Sequence, residues 1–283
     1  MEAMQARATT RRLILPDTDV VIAGDWHENT EWMQNAIRAA GKHTTSILHV
    51  GDFGLYSDGD YLAAVDEAAR ASGISTIVVT PGNHEDWGAL TRLFGAYPGE
   101  AIRISEVVWV LPPAFVLHAG GRTFMSLGGA ASTNFMSLRP GIDWWREEVI
   151  TDSDADRAIR TGWVDVLLTH DAIHDSGISA VDAITNNHGH LTNVAADYSR
   201  TARDRITRAY RAIGPTLLFH GHIHVAGSSS KPGGRRVFSL GRDGDQLGNL
   251  VTVNLDTLTV MQVPVFTNRA MRTAPADAAL MWA

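Results

Sequence analysis

Five short polar clusters hold the side chains best suited to chemistry. They are Asp25-Trp26-His27, Gly51-Asp52, Gly82-Asn83-His84-Glu85, His170 and Gly221-His222-Ile223-His224. Together they supply two aspartates, one asparagine and four or five histidines. That mixture of carboxylate, amide and imidazole suits borderline divalent ions such as manganese, iron, zinc or nickel. It is too rich in imidazole for magnesium or calcium, which prefer oxygen shells. Seven donors exceed what one tetrahedral ion takes, so two ions are the natural count. Two ions about 3.5–4 Å apart clamp the attacking and leaving oxygens of an in-line displacement.

The spacing supports a shared site. Asp25 and His27, like His222 and His224, stand at i and i+2, which can face one side of extended backbone. Gly51, Gly82 and Gly221 allow sharp turns and a close approach to a ligand.

Composition removes competing chemistries. The 283 residues include twelve histidines and no cysteine. Disulfides, thiolate zinc fingers, iron–sulfur clusters and a cysteine nucleophile are therefore excluded. A formal charge of -7 argues against a nucleic-acid partner, whose binders are normally basic. Hydrophobic residues are 45% and charged residues 19%, enough for a substantial core. The N-terminal stretch from Met1 to Arg12 is polar and does not read as a signal peptide. The longest apolar run, Val107 to Leu117, is broken by Pro112-Pro113 and is too short to span a bilayer. A cytoplasmic protein without a membrane partner is expected.

The elements that must position the clusters follow from pattern. Asp19 to Gly24, Ser46 to Val50 and Ser75 to Thr80 read as buried strands, with helices after each. One helix follows Asn29 or Thr30 with Met33, Ala36, Ile37 and Ala40 on a single face, another covers Asp60 to Ser72, and a third Glu85 to Phe94. This alternation predicts parallel strands with right-handed crossovers, where function gathers at the strands' C-terminal ends. Val107 to Leu111, Ala114 to His118 and Arg122 to Leu127 suggest an antiparallel meander in a second sheet. Asp143 to Glu148 and Ser153 to Arg160 read as short helices, Asp165 to Thr169 as a strand, and Asp197 to Ile213 as a long helix. Thr216 to Phe219 is a further strand, and Arg235 to Leu240, Asn249 to Asn254 and Leu258 to Val263 look like closing antiparallel strands. The expected organisation is an N-terminal arm over 1–17, a single domain over 18–266 and a loose tail over 267–283.

The ordered set of five motifs resembles the calcineurin-like metallophosphoesterase superfamily, from about Val20 to Val263. The resemblance implies an α/β fold, a four-layer α/β/β/α sandwich of two mixed β-sheets flanked by helices. It implies two divalent transition-metal ions, manganese first, with iron, zinc or nickel as alternatives. Asp25, His27 and His224 would hold one ion, Asn83, His170 and His222 the other, and Asp52 would bridge them. His84 would face the substrate as general acid. A metal-bridging hydroxide would attack a phosphate mono- or diester, small or nucleotide-like, in line. Two departures stand out. Many members carry glycine after Asp-x-His, where this chain has Glu28. Protein phosphatases of the superfamily continue Gly-Asp with Asp-Arg-Gly, where this chain has Phe53-Gly54-Leu55-Tyr56.

Other residues receive plainer readings. His49 reads as a core-edge histidine, His220 as locally packed, and His174 as part of a surface loop. His188 and His190, in a polar insertion over 171–196, are candidates to touch substrate. Trp144-Trp145 reads as a helix packed on a sheet. Arg200, Arg203, Arg205, Arg208 and Arg211 spread around their helix and read as a solvated face. Two alternatives compete with a small-ester hydrolase: a metal-dependent nuclease and a non-catalytic metal-bound scaffold.

Overall fold

Val20 and Ile22 point to one side of their strand and Val21 and Ala23 to the other, and all four are buried. A strand buried on both faces needs cover above and below, and the layers supply it. A computed structural model describes residues 4–55, 59–187, 189 and 191–267. Within them, two mixed sheets pack face to face, with helices on both outer sides.

The first sheet has eight strands. Across it lie Ala8–Thr10, Ala101–Arg103, Val108–Val110, Thr76–Val79, Ser46–His49, Asp19–Ala23, Leu250–Asn254 and Val260–Val263. The second has seven: Gly227–Lys231, Arg235–Ser239, Leu217–His220, Val166–Thr169, Arg122–Leu127, Phe115–Ala119 and Leu13–Leu15. Each sheet has a central run of four parallel strands, flanked on both sides by antiparallel pairings, and at one edge of the second sheet Leu13–Leu15 runs parallel to Phe115–Ala119.

Helices α1 (Thr30–Ala40), α2 (Gly59–Ser72) and α3 (Trp87–Ala96) cover the first sheet. The Asn29 side chain caps α1 by accepting from the Trp32 nitrogen, and Trp32, Met33, Ala36, Ile37 and Ala40 form its buried face. Helices α4 (Asp152–Thr161), α5 (Ser179–Asn186) and α6 (Asn193–Ile213) cover the second sheet through Ala155, Val181, Ile206, Ala209 and Ile213. A reciprocal Thr151–Asp154 capping box starts α4, and left-handed Gly214 ends α6. Between the sheets, Val20, Ile22, Leu48 and Val78 meet Phe124, Leu168, Phe219 and Phe238.

Several sequence-based expectations change. Val108–Val110 joins the first sheet, parallel to Thr76–Val79, rather than a meander in the second. It is an apolar run with cover on both faces, and the chain crosses to the second sheet only after Pro112-Pro113, which cannot donate to a ladder. Arg235–Ser239 runs parallel to Leu217–His220 and antiparallel only to Gly227–Lys231. The segment expected as an arm contributes a strand to each sheet, Ala8–Thr10 and Leu13–Leu15. Asp143 to Glu148 is not a helix. Trp145 is extended, and only Arg146–Glu148 makes a 3₁₀ turn, because the Glu148 side chain is drawn inward to Ser132.

Candidate metal centre

Each polar cluster follows the C-terminal end of a parallel strand. Asp25 and His27 follow Asp19–Ala23, Asp52 follows Ser46–His49, and Asn83 follows Thr76–Val79. From the other sheet, His170 follows Val166–Thr169, and His222 and His224 follow Leu217–His220. Packed face to face, the two sheets bring these ends together.

Asp25, His27, Asp52 and His224 each offer a donor atom, all within 4.8 Å of one another. Asp52, His170 and His222 form a second such group. Asp52 belongs to both. Its Oδ2 lies 3.5 Å from Nε2 of His27, and its Oδ1 lies 3.2 Å from Nε2 of His170. Nε2 of His224 is 3.4 Å from Oδ1 of Asp25. Oδ1 of Asn83 is 3.1 Å from Nε2 of His170, which places it beside the second group. The structure thus brings together every residue expected as a ligand.

The donor set fits cations. Asp25 and Asp52 are fully buried, and the Oδ2 atom of each lacks a hydrogen-bond donor among the described residues. Buried carboxylate oxygens left in this way, facing imidazoles, are what divalent ions take up. Their other oxygens are held by backbone: the His222 nitrogen donates to Asp25 Oδ1 at 2.9 Å, and the His84 nitrogen to Asp52 Oδ1 at 2.8 Å.

The imidazoles are oriented from behind. Nδ1 of His170 lies 2.7 Å from the Val50 carbonyl oxygen, so Nδ1–H donates there and Nε2 faces Asp52. Nδ1 of His27 lies 2.9 Å from Oδ1 of Asp243, whose other oxygen accepts from Asn29 Nδ2 at 2.7 Å. Burial disfavours the charged ring of His27, but the Asp52 carboxylate outweighs it and raises His27 to about 9. The same contest, burial against Asp52, raises His170 to about 10. Burial also opposes ionisation of Asp52, yet the His170 charge holds that carboxyl well below its usual range.

The backbone is bent to make this possible. Asp25, His27, Glu28, Asp52, His222 and His224 all adopt left-handed conformations, with φ between 48° and 62°. Such conformations cost non-glycine residues about 1–3 kcal/mol each and cluster at functional sites. A Cβ at Gly221 would lie 2.0 Å from Oδ2 of Asp25, so only glycine lets that strand end approach.

His84 stands apart from the donor groups. It is exposed, its backbone fixed to Asp52 and its ring 6.0 Å from that of His27. His49 is fully buried beneath the site, edge-on to Trp26, and accepts from the Gly51 nitrogen at Nδ1. Burial first, and the His170 charge second, push its pKa well down and keep it neutral. His220 is buried and paired with the Gly221 carbonyl oxygen, and His174 faces Asp204 at 3.0 Å. His188 and His190 lie outside the described residues. On α6, Arg200, Arg205 and Arg208 pair with Asp197, Asp152 and Asp156, whereas Arg203 is buried and donates to the Thr185 carbonyl oxygen.

Three supporting acids escaped sequence reasoning. Glu85, placed in a helix by pattern, lies before α3, which Asp86 caps. Its buried carboxylate accepts from the backbone nitrogens of Phe53, Gly54 and Leu55 at 2.9, 3.2 and 2.7 Å. Burial, then the charge of Asp52, raise its pKa to about 7 against the pull of those N–H groups. Asp243 sits in a polar loop between two distant strands, and Glu148 in a segment that reads as helix. Only Glu85 lies within a motif, Gly82-Asn83-His84-Glu85, whose sequence assigns it no role.

The sequence model of one family, described as calcineurin-like phosphoesterase, matches residues 18–226. This chain belongs to that family. Solved structures agree at the level of the fold. A dimetal phosphatase from Danio rerio superposes with a TM-score of 0.53 at 9% identity, covering 95% of this chain and 100% of that one. The phosphopantetheinyl hydrolase PptH from Mycobacterium tuberculosis gives a TM-score of 0.50 at 12% identity, covering 94% and 100%. No curated protein matches the sequence. Family membership also makes sense of Glu28. Many calcineurin-like phosphoesterases have glycine there, and Glu28 holds the left-handed φ of 58° that glycine adopts without strain. The Phe53-Gly54-Leu55 segment, where protein phosphatases of the superfamily carry Asp-Arg-Gly, is the one clamped by Glu85.

Proposed function

We propose that this calcineurin-like phosphoesterase is a dinuclear metal-dependent hydrolase of small or nucleotide-like phosphate mono- or diesters. The observation that carries the reading is the position of Asp52, shared by two groups of donors. Asp25, His27 and His224 would hold one ion, and Asn83, His170 and His222 the other. Manganese is the first expectation, with iron, zinc and nickel suited to the same donors. When bound, two such ions acidify water and neutralise charge on a phosphoryl group.

The chain's own residues supply the rest. Asp243 and the Val50 carbonyl fix which nitrogen of His27 and of His170 points inward. His84, exposed at the rim and anchored to Asp52 through its backbone, hands a proton to the departing alkoxide. Imidazole suits this role because its ring nitrogen can carry a proton and give it up. The acidic net charge and the paired arginines of α6 favour a small ester over a long polyanion. No helix among the described residues is long and apolar enough to cross a membrane.

The test is turnover of bis(p-nitrophenyl) phosphate and p-nitrophenyl phosphate by the manganese-loaded chain. Turnover abolished by Asp52→Asn supports the reading. No turnover of either ester with manganese, nickel or zinc leaves the scaffold alternative standing.

A further inference from the structure

Among the expected ligands, Asn83 has a special requirement. A carboxylate presents like oxygens at both ends, but an amide presents an oxygen at one end and an N–H₂ donor at the other. Only the oxygen can face a cation.

Asn83 Nδ2 donates to Oγ of Ser132 at 3.1 Å. Ser132 Oγ in turn donates to Oε2 of Glu148 at 2.8 Å, and its backbone nitrogen donates to Oε1 at 2.7 Å. Trp144 Nε1 and Tyr198 Oη also donate to Oε1, each at 3.0 Å. Ser132 and Glu148 are 4% and 1% exposed, so solvent does not compete for these bonds. The hydroxyl of Ser132 has a single hydrogen. Burial raises Glu148 to about 7 against these donors; with its carboxylate ionised, that hydrogen goes to Glu148, and the oxygen's lone pairs face Asn83. The amide nitrogen is then the end that fits against Ser132, and Oδ1 is left beside His170.

We propose that Ser132 and Glu148 are positioning residues that set the polarity of the Asn83 amide, so that its oxygen and not its nitrogen meets the second ion. The inference rests on the dinuclear reading. Neither residue touches the reacting atoms; both act through Asn83.

An isosteric change separates this from simple packing. In Glu148→Gln, two donor-only groups, the Ser132 nitrogen and Trp144 Nε1, hold the amide oxygen at the Oε1 position. The new amide nitrogen must then face Ser132 Oγ and donate to it. The serine hydrogen is turned toward Asn83, where it is satisfied only if Asn83 flips and offers Oδ1. The nitrogen would then face the ion. Ser132→Ala removes the relay without changing any charge. Tyr198→Phe removes a donor to Glu148 but leaves the polarity at Ser132 intact.

The experiment titrates Mn(II) into the full chain by calorimetry and follows the loaded protein by low-temperature electron paramagnetic resonance. Wild type should take up two ions and give a spin-coupled pair. Glu148→Gln and Ser132→Ala should weaken the second ion by roughly 10–100-fold, the range for partners behind a ligand, leave the first nearly unchanged, and give an uncoupled Mn(II) signal. Tyr198→Phe should keep the coupled pair. The proposal is overturned if Glu148→Gln or Ser132→Ala binds both ions as tightly as wild type. It is equally overturned if Tyr198→Phe loses the second ion as Glu148→Gln does, since the network then acts only as packing. A wild-type chain that binds one ion or none overturns the dinuclear reading itself, and this inference with it.

Discussion

Gly82 lies directly against Asp52: a Cβ at Gly82 would sit 2.2 Å from Asp52 Oδ1 and 2.3 Å from the Asp52 backbone nitrogen. A side-chain oxygen can rotate away, but a backbone nitrogen moves only with its chain. Gly82→Ala should therefore displace the Asp52 loop. Overpacking of this kind costs about 1–3 kcal/mol, which denaturant unfolding would read. Because Asp52 belongs to both donor groups, uptake of both ions should fall together. A Gly82→Ala variant with wild-type stability and two tightly bound ions would contradict this geometry.

Metal uptake should release protons. In the metal-free chain His27 titrates at about 9 and His170 at about 10, so both rings are protonated at neutral pH. An ion needs the neutral ring and must displace each proton. Binding at pH 7 should release about two protons from these rings, seen as a dependence of the calorimetric heat on buffer ionisation enthalpy. Apparent affinity should rise with pH up to the 9–10 range. Stability of the metal-free chain runs the other way. These rings bind protons more tightly folded than unfolded, so their contribution is complete below 6.5 and is lost as pH rises through 9 and 10. Metal uptake without proton release at pH 7 would contradict the assignment.

The acid behind the Asp52 loop should matter as much as the ligands. Glu85→Ala leaves the buried nitrogens of Phe53, Gly54 and Leu55 without their acceptor. Unsatisfied buried groups cost about 1–3 kcal/mol each, so a loss of at least ~3 kcal/mol is expected. It should appear as a lower denaturant midpoint, with weaker uptake of both ions. A loss below about 1 kcal/mol would show that water replaces the carboxylate freely.

The contrast between Asp52 and Glu85 shows what the sequence could reveal. Asp52, His170 and His222 stand just past β-branched and leucine-rich runs, so period and strand-end position located them without coordinates. The same runs gave alternating strands and helices and a second sheet, while the four-layer sandwich came from the family resemblance. Glu85 obeys no such period. Its role depends on backbone N–H groups some thirty positions away, which local pattern does not encode. Asp243 acts on His27 from 216 positions away, and Glu148 acts on Ser132 from 16 positions away, neither at a spacing that a helix or strand period marks. The sheet to which Val108–Val110 belongs was equally hidden, because an apolar run fits either sheet until the neighbouring edge is known.

His84 offers the sharpest separation of binding from chemistry. It is exposed, and its ring belongs to neither donor group, whereas its backbone nitrogen holds Asp52. Alanine keeps that nitrogen, so His84→Ala should retain two ions by metal analysis. What it removes is the group proposed as the proton donor. A p-nitrophenolate leaves without help, so aryl esters should lose little. Alkyl esters leave as strongly basic alkoxides and should lose about 10²–10⁴-fold in kcat, the range for a general acid. The measurement is kcat for paired aryl and alkyl esters in the wild type and the variant. Equal losses on both would assign His84 to substrate binding, and full activity on the alkyl ester would remove it from the mechanism.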